Sequence, residues 1–277
     1  MKRRNTVKSI MKDFKAYLIQ DEKSKNTIEK YIRDAEKFLG WLNTRELTKQ
    51  EIISYKNTLL ENYEASSVNS FLASVNKLLE YMGKPELKVK YIRIQQTPYS
   101  DEGNTLTIDD YYKLCKASES RRNHLILNSI CSTGIRVSEL RFFTVEAVST
   151  GYIEIRCKGK IRRIIIPDML RKELLSYAET EGIESGTIIR TRRGNPIDRS
   201  NIWKILKRLA EKSGVDREKV FPHNLRKLFA REFYETRKDI VKLADVLGHS
   251  SINTTRIYLR TTGKEHRKII ESLKLVR

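Results

Sequence analysis

His223 and Arg226 stand three residues apart and directly follow Pro222, a residue suited to the first turn of a helix. A helix beginning there presents the imidazole and the guanidinium on one face. Arg136 lies between Thr133-Gly134-Ile135 and the helical turn Val137-Ser138-Glu139-Leu140, and Glu139, one turn on, faces the same way and can orient it. Leu247-Gly248-His249-Ser250-Ser251 has the composition of a helix end, a glycine turn and a serine cap for the next helix. Tyr258 comes nine positions after His249. Lys158 belongs to the stretch Cys157-Lys158-Gly159-Lys160 between two segments of alternating apolar residues.

These residue types suit one kind of chemistry, the breaking of a phosphodiester without a metal. That reaction needs a nucleophile, neutralisation of the non-bridging oxygens, and a proton for the leaving oxygen. A guanidinium matches two phosphate oxygens with its rigid fork and keeps its charge. A lysine or histidine can supply the proton. A tyrosine can attack and later serve as leaving group. Taken singly, each residue has an ordinary alternative: Arg136 as an exposed arginine, His223 as a surface cap, Tyr258 as a core aromatic among 13 tyrosines. The remaining histidines, His124 and His266, read as surface or core-edge residues without a role.

The charge balance narrows the partner. Lys and Arg number 55 against 35 Asp and Glu, a formal +20 over 277 residues. Such a surplus favours a polyanion through counterion release, and nucleic acid is the usual one. No run approaches the roughly 18 consecutive apolar residues of a membrane span, so no membrane role is expected. The basic start, Met1-Lys2-Arg3-Arg4-Asn5, precedes no apolar core of a signal peptide and reads as a frayed end. Cys115, Cys131 and Cys157 are odd in number and widely spaced, which fits buried thiols in a reducing cytoplasm. No paired Cys or His spacing suggests zinc, and no metal or cofactor is expected.

The length suits two domains. Over residues 1–92 apolar residues recur at helical spacing in four segments. The first is short, through Ile10, Phe14, Tyr17 and Leu18. The second runs from Ile28 to Leu42, the third from Leu47 to Leu59, and the fourth from Val68 to Met82. Ser66, Ser67, Asn69, Ser70, Asn76 and Lys77 lie off the fourth stripe, either as DNA contacts or as an ordinary solvated face. Residues 93–106 lose periodicity and hold Pro98 and Gly103, which reads as a linker. Residues 107–277 form a second domain that opens with a capped helix at Thr107. Its helices are expected near 107–118, 121–133, 168–181, 198–213, 223–236, 238–247, 252–261 and 264–275. Strands at Tyr152–Arg156 and Ile161–Ile166 make a hairpin.

In order and spacing, Arg136, His223, Arg226, His249 and Tyr258 resemble the active site of the tyrosine recombinases, the phage-type integrases. The likeness runs from about Thr107 to the C-terminus and, more loosely, over the N-terminal helices. It implies a mainly α fold with a small β-sheet, built from a helical SAM-like core-binding domain and a mixed α/β catalytic domain. Tyr258 is then the nucleophile that forms a 3′-phosphotyrosyl bond. Arg136, Arg226, His223 and His249 serve the phosphate, and the hairpin lysine is Lys158, with Lys160 as the alternative. Where the family usually has a second histidine after the arginine, this chain has Lys227. The resemblance further implies double-stranded DNA with inverted half-sites, a homotetramer on DNA, a Holliday junction, and a cytoplasmic, nucleoid-associated protein that needs neither metal nor ATP. Two alternatives share part of the pattern: a type IB topoisomerase, and a DNA-binding protein without catalysis. The role, whether chromosome-dimer resolution, plasmid maintenance, integration of a mobile element or inversion, is not written in the residues.

Overall fold

The computed structural model describes residues 2–95, 99–100, 105–157, 160–259 and 261–273. The chain divides into two compact units, Met1–Gln96 and Thr97–Arg277.

In the first unit four helices enclose one core: α1 (Lys2–Gln20), α2 (Lys25–Leu42), α3 (Lys49–Asn62) and α4 (Ala65–Tyr81). Helix α1 is longer than its short apolar stripe suggests and begins at Lys2, where a frayed end is expected. Ser24 caps α2 by accepting from the Thr27 N–H, and Thr48 caps α3 by accepting from the Glu51 N–H. Phe14, Phe38, Ile52, Leu72 and Val75 are fully buried between them. One polar pin crosses this core. Asp34 on α2 is 2% exposed and takes bonds from Lys30 Nζ (2.5 Å) and Ser74 Oγ (2.8 Å).

Two of the polar residues expected on the outer face of α4 are instead internal fasteners. Asn76 donates from Nδ2 to the Val89 carbonyl and accepts from the Val89 N–H at Oδ1, both at 3.0 Å. Asn69 repeats the arrangement with Ile92, at 2.9 and 2.7 Å. Each carboxamide thus acts as a strand neighbour for an extended segment whose backbone would otherwise lack partners. The two asparagines are two helical turns apart, which lets one helix face hold Val89 and Ile92 together.

In the second unit α5 (Ile108–Lys116) starts with a reciprocal capping box between Thr107 and Asp110. Then come α6 (Arg121–Thr133), a 3-10 turn (Val137–Phe142) and α7 (Val145–Thr150), the last too short to show a period in sequence. Strands β2 (Tyr152–Cys157) and β3 (Lys160–Ile165) pair antiparallel from Tyr152↔Ile165 to Cys157↔Lys160. Their inner face buries Ile153, Ile155, Ile164 and, just beyond β3, Ile166. Helices α8 (Asp168–Thr180), α9 (Arg199–Ser213), α10 (Pro222–Arg237), α11 (Ile240–Leu247) and α12 (Ile252–Tyr258) complete the frame around the site. Inside the expected linker, β1 (Tyr99–Ser100) pairs in parallel with β4 (Thr261–Thr262). The tyrosine helix ends at Tyr258, short of the expected 261, and α13 (Gly263–Ser272) opens at Gly263.

Cys115 and Cys131 carry free thiols packed against the core, and His124 is half-buried. Among the described residues no helix is long and apolar enough to cross a membrane, and no cluster of His, Cys, Asp and Glu could hold a metal ion.

The asparagine fasteners are testable. Replacing Asn76 by Leu keeps the bulk but orphans both Val89 groups, which should cost the first unit about 1–3 kcal/mol in denaturant melts. Exchange of the Val89 amide hydrogen should quicken with it, and an unchanged exchange rate would contradict the role.

Candidate active site

Two glycine turns aim the polar groups. Helix α6 ends at Gly134 in the left-handed conformation (φ 61°), and a Cβ there would collide with the Phe229 ring, so only glycine fits. Two residues later Arg136 begins the 3-10 turn. Its backbone N–H donates to Glu139 Oε2 (2.9 Å) and its Nη1 to Glu139 Oε1 (3.0 Å), while Nη2 reaches the Gly248 carbonyl (3.3 Å). The second turn closes α11. Gly248 is also left-handed (φ 64°), and the N–H of His249 returns to the Ala244 carbonyl at 2.9 Å. Ser251 then caps α12 through the Asn253 N–H, as the sequence indicates.

Helix α10 begins with Pro222, and the i, i+3 spacing sets His223 and Arg226 side by side. Arg226 is 2% exposed and has no carboxylate partner among the described contacts. It is held by backbone oxygens: Nη1 donates to the Gly134 carbonyl (2.5 Å) and Nη2 to Leu247 (2.6 Å), both at helix C-termini, where partial negative charge collects. Burial, then the neighbouring Arg136, push its pKa down to about 10, which still leaves it charged at neutral pH. Its Nε is buried and makes no hydrogen bond among the described residues.

His249 sits against this arginine. Arg226 Nη2 lies 3.2 Å from His249 Nε2, and a guanidinium can only donate, so Nε2 is the acceptor. The ring proton is then on Nδ1, donating to the buried Thr255 hydroxyl at 2.9 Å. The neutral form follows from the surroundings: burial first, then Arg226, Arg136 and Arg162, push the pKa down to about 4. Burial, followed by Lys227 and Arg226, lowers that of His223 too.

Tyr258, the last residue of α12, is 7% exposed. Its ring lies between the imidazoles of His223 and His249, at centroid separations of 5.0 and 5.1 Å. Its hydroxyl is 3.4 Å from His223 Nδ1, a long hydrogen bond. Arg136, His223, Arg226, His249 and Tyr258 all line one cavity of about 620 Å³. Lys158 lies outside the described residues, and of Lys160 only the strand position is described.

Three matches decide the family. The phage integrase family model covers residues 104–265, and the model of the family's N-terminal SAM-like domain covers residues 11–84. Tyrosine recombinase XerA of Pyrococcus furiosus is 30% identical over 286 residues, spanning 99% of this chain and 97% of its own. The chain is a tyrosine recombinase of the phage integrase family. Its first unit is the family's SAM-like domain and its second the mixed α/β domain. The tyrosine recombinase XerD of Listeria monocytogenes is 27% identical over 280 residues, 91% of this chain and 94% of the relative. Among solved structures, XerA recombinase superposes with a TM-score of 0.54 at 26% identity, over 98% of this chain and 99% of that one. A lambda integrase dimer bound to a core site shares the fold, with a TM-score of 0.73 at 20% identity over 92% of this chain and 96% of that chain.

Sequence reasoning missed Arg162, whose guanidinium lies under the site. The signal was present in β3: residues 162, 164 and 166 share the inner face, so Arg162 is a charge on an otherwise isoleucine face. Arg199, Trp203 and Lys207 also line the cavity, and no spacing marked them.

Acid should report on the imidazoles. The folded value of about 4 for His249 lies below the ordinary 6.5, so the unfolded chain takes up the proton first. Stability is therefore full above about pH 6.5 and is lost as pH falls towards 4. His249→Gln should flatten that fall in melting temperature, leaving the part due to His223. Parallel curves for mutant and wild type would contradict the assignment.

Proposed function

We propose that this recombinase acts on specific DNA sites, cutting and rejoining strands through a 3′-phosphotyrosyl bond to Tyr258. The observation that carries the proposal is the Tyr258 hydroxyl 3.4 Å from His223 Nδ1, with its ring also beside His249, in a cavity lined by Arg136 and Arg226. His223 Nδ1 is the nearest base and accepts the phenolic proton as the oxygen attacks phosphorus. Arg136 and Arg226 take the non-bridging oxygens. An entering phosphate offsets the guanidinium charges that suppress His249 and takes over the Arg226 Nη2 donor, so that the freed Nε2 can hold a proton and donate to the phosphate. Lys158 gives its proton to the departing 5′ oxygen. One phosphodiester is exchanged for another, so the bond energy is kept and neither ATP nor a metal is required.

Residues 1–92 serve as the core-binding domain, 93–106 as the linker and 107–277 as the catalytic domain. The +20 charge supplies phosphate contacts along the duplex. The relatives with solved structures include a lambda integrase tetramer on a Holliday junction, which supports the same assembly here on paired inverted half-sites. Helix α13 supports it independently. Ile270, and Leu273 just beyond the helix, are 56% and 57% exposed, unburied apolar side chains suited to a neighbouring subunit. The place of action is the nucleoid in the cytoplasm.

Tyr258→Phe removes only the attacking oxygen. It should bind half-site DNA like wild type and form no covalent adduct on a nicked suicide substrate in denaturing gels. Adduct at the wild-type level would refute the assignment, and absence of adduct from the wild-type protein would indicate a mere DNA binder.

The leaving-group acid can be assigned separately. A 5′-bridging phosphorothioate departs as a thiolate and needs no proton. Lys158→Ala should fail on ordinary DNA and recover on the sulfur substrate, whereas Lys160→Ala should gain nothing from sulfur. The reverse pattern would transfer the role to Lys160.

A further inference from the structure

We infer that Arg162 is a positioning residue for strand cleavage, holding Arg136 through the shared carboxylate of Glu139 and holding the turn that carries His249 through the Leu247 carbonyl. The inference rests on the proposed attack by Tyr258.

Arg162 pairs across the hairpin with Ile155, on the face that buries Ile153 and Ile164, and its side chain is 13% exposed. A cation in that place is costly unless its donors are satisfied. Its Nη2 meets Glu139 Oε2 at 2.6 Å, and its Nη1 donates to the Leu247 carbonyl. Both acceptors are shared with residues of the site. Glu139 also receives Arg136 Nη1 and the Arg136 N–H, and Leu247 also receives Arg226 Nη2.

The side chain of Arg136 is 43% exposed, and beyond its 3.3 Å bond to the Gly248 carbonyl the direction of its guanidinium depends on where Glu139 is held. Arg162 supplies the second hold on that carboxylate. Its stem also passes over the Gly248 turn: a Cβ on Gly248 would collide with Arg162 Cδ, Nη1 and Nε. The glycine is thus required by its backbone conformation and by the arginine lying on it, and His249 follows immediately. Arg162 does not line the cavity that holds Tyr258, so it acts through other residues. A lysine could satisfy Glu139 or Leu247, but its single nitrogen cannot serve both as the guanidinium fork does.

The test is single-turnover adduct formation on a nicked half-site at saturating protein, with half-site affinity measured apart by gel shift. Arg162→Gln should slow adduct formation about 10- to 100-fold and leave affinity within about threefold, because misplacement of a transition-state group affects rate more than binding. Arg162→Lys should fall between. In an Arg136→Lys background the further loss from Arg162→Gln should shrink below about threefold, since the group it positions is already displaced. A merely structural role would predict the same factor in both backgrounds, and that result overturns the inference. So does an Arg162→Gln rate within about threefold of wild type, or a loss of affinity as large as the loss of rate. If Arg162→Gln gives no cooperative melt, Arg162→Lys decides alone: an intermediate rate supports the inference and a wild-type rate overturns it. A wild-type protein that forms no adduct would overturn the proposed function and this inference with it.

Discussion

Three guanidiniums, those of Arg136, Arg162 and Arg226, converge on two consecutive carbonyls, Leu247 and Gly248, at the end of α11. Like charges gathered in a partly buried place repel strongly unless acceptors surround them. The fold supplies one carboxylate, Glu139, and otherwise backbone oxygens at helix ends. This explains the two left-handed glycines. Gly134 turns the end of α6 towards Arg226, and Gly248 turns the end of α11 under Arg162, each at a point where a side chain would collide.

The compensation is incomplete, and that has a chemical use. Within this cluster three guanidiniums share one carboxylate, and the cavity beside it is lined further by Arg199, Lys207 and Glu218, so cations exceed anions there. A phosphodiester carries one negative charge, and the five-coordinate species formed on attack carries two. For the proposed reaction this surplus suits the state in which charge has developed, with donors held by the contacts described above. Burial first, and the same field after it, disfavours the charged form of both imidazoles, which suits the proton-accepting role proposed for His223.

Much of this was legible in the sequence, because the signals were local. Pro222 with the i, i+3 pair, the Gly248 turn and the Ser251 cap each specify their own few residues, and the structure gives them the conformations they imply. What escaped depended on distant partners. Asn69 and Asn76 look like surface polar residues until the segment around Val89 and Ile92 is known to lie against them. Arg162 was visible as a charge out of place in an alternating strand, but nothing nearby named Glu139, 23 residues earlier, as its partner. Strands of two residues, such as β1 and β4, have no period to read.

For the proposed reaction, the arginine cluster is matched to the transition state of DNA cleavage. The most direct measurement is the affinity for a half-site duplex lacking the scissile phosphate, with and without orthovanadate. Vanadate can take the missing position and become five-coordinate with the DNA ends and Tyr258. Vanadate should tighten binding by about a hundredfold or more, as a transition-state analogue does. Equal affinity with and without vanadate would contradict it.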